Sequence, residues 1–434
     1  MIILRSILSL ILIVFFSGCV TKNETINQNQ KYEILKLEFP QNSKILPKVK
    51  NPKLFDRDLF LERFFRVWDF SQENRPKISK KEALWVLNIY KNTKNKKYYS
   101  PSRRVYDDKF FDKIYENANT NKFGELFFPA ITLKNTFLRN APTNEPIFIS
   151  FKDVGEGYPF DYFANSTLGV NYPVLISHFS KNRDFVFVQT DSAWGWIDAR
   201  DIKILSQDEI NLIKNSKFIT ILEDKIPLFN LNNEFLLNSR VGTLLMVHRY
   251  DDEYYYGKIF TKYGLENYKI SKKSATEFPA VLNDENVKKV INGILGEPYG
   301  WGGFGYYRDC SLFTKDVMTS FGVWLGRNSK AQTVGHKSID LSFLSSDEKL
   351  ETIKQNATPY LALIYMPGHI MLYSGIINGE VSVIHNVWGL RTVDNGRALI
   401  GQTAITSLKI GQNNPNIIQS NLFLNKITKL ILLD

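Results

Sequence analysis

Tyr299-Gly300-Trp301-Gly302-Gly303, followed by Arg308-Asp309-Cys310-Ser311-Leu312-Phe313, is the stretch on which the reading of this chain turns. Three glycines in five residues make a loop that neither a helix nor a strand absorbs easily. Asp309 is a good N-cap for an apolar helix running through Val317, which sets Cys310 in the first helical turn. Exposed amide hydrogens and the helix dipole favour an anion there. The position therefore predicts a lowered thiol pKa and an available thiolate. A lone cysteine on a helix is ordinarily a small core residue. This one becomes a candidate nucleophile because a base is supplied downstream.

Gly368-His369-Ile370-Met371-Leu372-Tyr373 places His369 at the start of an apolar strand. Ile384-His385-Asn386 ends the next strand, after a turn around Asn378-Gly379. Antiparallel neighbours of that length bring the two imidazoles together. A thiol, a base and a polar group that orients the base form a generalised triad. His336 is a spare, and His178 and His248 fall in strand-rich stretches and are read as structural.

The 434 residues hold two cysteines and five histidines, which excludes a disulfide-stapled scaffold and a thiolate zinc cluster. No metal or other cofactor is expected. Residues Met1 to Ser17 carry one cation, Arg5, ahead of an apolar run too short to span a bilayer comfortably, the layout of a secretory signal. Phe16-Ser17-Gly18-Cys19 resembles the lipobox of bacterial lipoproteins, with Phe16 where leucine is usual. That resemblance implies a signal peptide over 1–18, lipid on Cys19, and an exported protein anchored to a membrane. Val20 in place of aspartate implies the periplasmic face of an outer membrane in a cell that has one. Cys310 is then the single thiol of the mature chain.

The net charge of +11 is uneven: residues 22–140 hold 25 Lys and Arg against 14 Asp and Glu, whereas 141–434 are balanced. No arginine-rich arm or zinc finger accompanies the excess, so no nucleic-acid partner is expected. It reads as a solvated basic face beside the anchor, the alternative being attraction to an anionic membrane or wall surface. Polar residues 19–50 with spaced prolines read as a tether. Helical spacing from Leu54 to Trp68, a capping box at Ser79-Lys80-Lys81-Glu82 and a third helix over 107–116 define a small helical domain, 51–135. The period then changes to two. Short strands at 147–149, 174–176, 185–188 and 194–197 predict a small β-barrel over 136–205, and a second series predicts another over 206–275. From 276 to 434 helix and strand signals alternate, an α+β unit that contains every candidate catalytic residue.

At these residues a family resemblance emerges. Y-G-W-G-G, D-C-S-L-F, G-H-I-M-L-Y and I-H-N resemble the NlpC-type (NlpC/p60) papain-like cysteine peptidases of bacterial cell walls. Arg327-Asn328-Ser329-Lys330-Ala331-Gln332 resembles the R-x-S-x-x-Q element of their multidomain lipoprotein branch, and G-W-I-D-A-R-D-I the end of a bacterial SH3-like barrel. The resemblance implies an α+β multidomain fold: a helical N-terminal domain, two SH3-like barrels and a C-terminal papain-like peptidase domain. Leu312 departs from the glycine common after D-C-S.

The resemblance also implies roles. Cys310 attacks a carbonyl carbon, His369 accepts and returns the proton, and His385 orients His369. The Cys310 amide and the Tyr299 hydroxyl hold the oxyanion. The implied substrates are murein stem peptides, cut between D-glutamate and the diamino acid, with selection for a free N-terminal L-alanine. Asp309, Ser311 and Ser329 match positions that contact that end of the peptide. An acid from the first barrel, Asp161 or Glu156, is expected to complete the amine site. Two other readings use the same residues: an inactive wall-binding scaffold, and a thiol acyltransferase with an acyl-donor pocket.

Overall fold

The computed structural model describes residues 32–69, 79–87 and 96–433. The signal segment and Cys19 lie outside the described residues. Among those described, no helix is long and apolar enough to cross a membrane.

The segment after residue 31 corrects the tether reading. Residues 32–50 are docked on the C-terminal domain. Strand β1 (Tyr32–Ile34) runs parallel to a strand at 397–399. Gln41 exchanges hydrogen bonds with the backbone of Ile405, both at 2.9 Å. The Tyr360 hydroxyl donates to the Pro47 carbonyl at 2.7 Å, and Phe39 and Leu46 enter the core. These apolar residues, spaced among the polar ones, hold the segment down.

Helix α1 (Arg57–Phe65) begins at Asp56, whose carboxylate accepts from the amides of Asp58 and Leu59. Its Phe60, Phe64 and Phe65 meet apolar side chains from both barrels, Ile131 and Leu175 on one side and Phe218 and Phe260 on the other. The helical domain is thus a wedge between barrels. The capping box of Ser79 and Glu82 opens α2 (Lys80–Ala83), and Asp107 caps α3 (Asp108–Asn117).

The first barrel contains β2 (Phe128–Thr132), β3 (Thr136–Arg139), β4 (Ala164–Leu168), β5 (Pro173–Phe179), β6 (Phe185–Gln189), β7 (Trp194–Asp198) and β8 (Ile202–Ile204), in the order β4-β3-β7-β6-β5-β2-β8. Its first strand falls inside the region assigned to the helical domain. Ile147–Ile149, expected as a strand, contributes an isolated bridge between Phe148 and Tyr99. After α4 (Gln207–Lys214), the second barrel comprises β9 (Lys217–Ile221), β10 (Ile226–Asn230), β11 (Phe235–Ser239), β12 (Leu244–Tyr250), β13 (Tyr254–Thr261), β14 (Gly264–Ser271) and β15 (Ala275–Glu277).

The C-terminal domain is α+β. Helices α5 (Asp284–Ile294), α6 (Cys310–Ser320) and α7 (Ser346–Asn356) accompany a sheet of β16 (Lys337–Asp340), β17 (Ala362–Met366), β18 (His369–Ile377), β19 (Glu380–Arg391), β20 (Arg397–Ser407) and β21 (Lys429–Leu432), with β1 at its edge. Side chains alternate across the sheet. Ile370, Leu372, Ile384 and Ile405 pack against Phe313 and Val317 of α6. Met371, Val381 and Val383 face Leu350 and Ile353 of α7 and the buried Phe423.

Both barrels grip α6 through buried charge. Arg308, wholly buried just ahead of the helix, contacts Asp224 of the second barrel at 2.6 Å, Glu297 at 2.9 Å and Asp316 at 2.8 Å. Lys315 contacts Asp191 of the first barrel at 3.2 Å, and Trp324 Nε1 donates to the same carboxylate at 2.6 Å. Truncating one partner of a buried ion cluster strands the rest without solvent. Arg308→Ala is therefore expected to lower unfolding free energy by about 3–5 kcal/mol in denaturant titration. A loss under about 1 kcal/mol would mean that water reaches Asp224 and Glu297.

Candidate active site

The site is organised by the first turn of α6. Asp309 is extended (φ −92°, ψ −178°), and its Oδ1 accepts from the Leu312 amide at 2.8 Å, the N-cap bond expected from the sequence. Its Oδ2 accepts from the Gly302 amide at 3.1 Å, which folds the glycine loop back over the helix start. Gly302 and Gly303 have φ of 60° and 83°. A Cβ on either would lie 2.8 Å from backbone of β4, the Ala164 oxygen or the Thr167 nitrogen. Left-handed backbone and close approach together require glycine here.

Arg327 completes the frame. Its Nη1 donates to Asp309 Oδ1 at 3.1 Å and Ser311 Oγ at 3.0 Å, and its Nη2 to Asp309 Oδ2 at 2.8 Å. The same guanidinium reaches the first barrel, from Nε to Ser166 Oγ at 2.6 Å and from Nη2 to the Asn165 carbonyl at 3.0 Å. Gln332 donates to the Ser311 carbonyl at 2.8 Å and accepts from Thr314 at 2.7 Å. The 327–332 element thus positions the helix that carries Cys310. Although burial opposes it, Arg327 holds the Asp309 carboxyl below its usual range.

His369 and His385 are brought together: Nε2 of the first lies 2.8 Å from Nδ1 of the second. Phe423 stacks on His369 at 5.6 Å and meets His385 edge-on at 5.2 Å, excluding water from both. His385 Nε2 lies 3.0 Å from Thr406 Oγ1. Burial lowers His369 to about 4, against a small opposing pull from Asp309, and pushes His385 well down too. The backbone amides of Ile370 and Ser311 favour the charged form of the Cys310 sulfur. No thiol–imidazole hydrogen bond is formed among the described residues; such contacts often tighten only when substrate binds.

The thiol corrects an expectation. Burial, with the Asp309 carboxylate beside it, pushes Cys310 up to about 12, outweighing the amides at the helix start. Cys310 and His369 therefore rest as thiol and neutral imidazole.

Cys310, Asp309, Ser311, Ser329 and Tyr299 line one cavity of about 580 Å³. Tyr162 and Trp194 of the first barrel and Trp85 beyond α2 close its other sides. Burial, with the nearby Asp309 carboxylate, keeps the Tyr299 phenol protonated, a donor. Asp161 does not join them. Wholly buried, it faces Arg139 at 3.0 Å and accepts from the amides of Ile147 and Phe163, so the barrel consumes it. Glu156 approaches only through Tyr162, whose hydroxyl donates to it at 2.8 Å. Leu312 packs toward the first barrel beside Lys315 and Arg327. Among the spare imidazoles, His178 is buried against the Ala118 carbonyl at 3.1 Å, His248 is exposed and His336 half-buried. Among the described residues Cys310 is a free cysteine, and no cluster is arranged to hold a metal ion.

Thr406, Phe423 and Trp85 were not singled out from the sequence. Thr406 could have been found only from the register of β19 on β20, where His385 faces Ala404. Phe423 and Trp85 carry no local signal, being brought in by tertiary packing.

Four family models match along the chain: an NLPC_P60 stabilising domain over residues 8–123, an SH3 domain of SH3b1 type over 146–198, one of SH3b2 type over 206–251, and the NlpC/P60 family over 296–398. Among solved structures, an NlpC/P60 endopeptidase from Photobacterium damselae subsp. piscicida is 23% identical, with a TM-score of 0.79 over 93% of this chain and 99% of that one. An NlpC/P60 family protein from Bacillus cereus is 16% identical, with a TM-score of 0.48 over 70% of this chain and 98% of that one. No curated protein matches the chain.

A neutral thiol and a low-titrating base set the pH response. Protonating His369 removes the base, so kcat/KM for any thiol-dependent reaction should hold down to about pH 5 and fall near 4, well below an ordinary imidazole limb at about 6.5. Alkylation of Cys310 by iodoacetamide should be slow at pH 7 and keep rising beyond pH 9. A rapid reaction that levels off below pH 6 would contradict this ground state. Stability follows the same sign: the unfolded chain binds protons below about 6.5 that the buried imidazoles refuse, so unfolding free energy should decline as pH falls from there toward 4.

Proposed function

The chain is a multidomain member of the NlpC/P60 family, and on that premise we propose that it hydrolyses the γ-D-glutamyl–diamino acid bond of murein stem peptides, preferring stems with a free N-terminal L-alanine. The observation that carries the reading is the buried His369–His385 pair at 2.8 Å, together with Cys310 at a helix start lining a cavity walled by the first barrel.

In this reading the Cys310 proton passes to His369 as the sulfur attacks the carbonyl carbon of the isopeptide. The Cys310 amide and the Tyr299 hydroxyl hold the resulting oxyanion. His369, now an imidazolium braced by His385, returns the proton to the leaving amine, and water then releases the acyl group. Because thiol and imidazole are neutral at rest, charge separates only as substrate replaces water in the cavity. The oxyanion donors therefore have more to stabilise than beside a preformed ion pair.

A cavity of about 580 Å³ bounded by Trp85, Tyr162 and Trp194 supports a short peptide as substrate. The amine of L-alanine would meet Asp309, the carboxylate that lines the cavity, with Ser311 and Ser329 beside it. Glu156 can contribute through Tyr162. Lipid on Cys19 would hold the enzyme in the cell envelope.

Incubating the full chain with L-Ala-γ-D-Glu-diaminopimelate should release free diaminopimelate, detected by mass spectrometry. Cys310→Ala should abolish release, and Tyr299→Phe should reduce kcat by about 100- to 1,000-fold. Equal product from Cys310→Ala would exclude the thiol mechanism, and no product from the unaltered chain would exclude the substrate assignment.

A further inference from the structure

We propose that Thr406 is a positioning residue that fixes the proton arrangement of both imidazoles, a role that rests on the peptidase reading above. The argument is one of donors and acceptors along a buried line. His369 Nε2 meets His385 Nδ1 at 2.8 Å, and His385 Nε2 meets Thr406 Oγ1 at 3.0 Å. Thr406 and His385 are wholly inaccessible to solvent, so water cannot substitute for a missing partner.

Each neutral imidazole carries one N–H, which leaves two consistent arrangements. In the first, the Thr406 oxygen accepts from His385 Nε2–H, and His385 Nδ1 accepts from His369 Nε2–H. The lone pair of His369 then lies on Nδ1, the nitrogen not engaged by His385 and free to take the thiol proton. In the second, the Thr406 hydroxyl donates to His385 Nε2, and His385 Nδ1–H donates to His369 Nε2. The proton of His369 then sits on Nδ1, and no base is available. The reaction needs the first arrangement throughout, because an imidazolium at His369 still donates Nε2–H to His385.

A hydroxyl permits the productive arrangement because it accepts. With a methyl in its place, the productive arrangement would bury an unpartnered His385 N–H. The unproductive one would bury only an unpartnered lone pair, the lesser cost. Thr406 therefore acts through His385 without touching the reacting atoms.

The experiment compares the full chain with Thr406→Val and Thr406→Ser. Hydrolysis of L-Ala-γ-D-Glu-diaminopimelate should lose about 10- to 100-fold in kcat in the valine variant at little changed KM, and serine should restore it to within about threefold. Imidazole ¹⁵N spectra at neutral pH should show both residues protonated on Nε2 in the unaltered chain and in Thr406→Ser. Protonation should move to Nδ1 in Thr406→Val. A purely structural threonine would leave the protonated nitrogen unchanged. Full kcat in Thr406→Val overturns the proposal, as does Nδ1 protonation of His385 in the unaltered chain. The second measurement needs no variant to fold. Were the unaltered chain inactive on this peptide, the substrate assignment would fail while the spectra still decided the proton arrangement.

Discussion

One carboxylate carries more of this architecture than any apolar contact. Asp309 accepts from the helix amide at Leu312, from the glycine loop at Gly302, from Ser311 and twice from Arg327. Each donor belongs to a different requirement: starting the helix, closing the loop above it, orienting the first turn and docking the 327 segment. Through Arg327 the same charge reaches Ser166 and Asn165, so the first barrel is attached to the point where the thiol is presented. A buried charge is tolerable only when its lone pairs are taken up, and here nearly every neighbour of Cys310 is occupied in doing so.

That arrangement has an electrostatic price at the sulfur. The anion that builds the site opposes a second anion beside it, and burial adds to the opposition. The helix start offers amides but cannot offset both. The imidazoles, dried by Phe423, are likewise held neutral. Such a site stores no preformed ion pair, and in the proposed reaction it would depend on Tyr299 and the Cys310 amide to stabilise charge as it develops.

Local chemistry was legible in the sequence where one segment holds both partners. The Asp309 cap, the Ser79–Glu82 box and the alternation in β17 to β19 each depend on residues a few positions apart, and the structure shows them. The pairing of His369 with His385 was legible because a hairpin joins them. What escaped depends on long-range packing. Asp161 was expected at the amine site, yet Arg139 on a neighbouring strand claims it. The thiol looked acidic because a helix dipole can be read from one segment, whereas burial cannot. Residues 32–50 read as a tether because their few apolar side chains find partners more than two hundred residues away.

The strap formed by that segment has a consequence of a different kind. β1 lies against β20, which would otherwise be the terminal strand on that side of the C-terminal sheet. A bare terminal strand presents a row of unpaired amides and carbonyls to any extended chain that passes, which is how sheets of separate molecules fuse. Here the partner is supplied by the same polypeptide, three residues long and laid parallel, with Ile34 left facing solvent. The protein thus carries its own guard against self-association in the first of the described residues. Chain trimmed past residue 34 would leave the β20 edge bare.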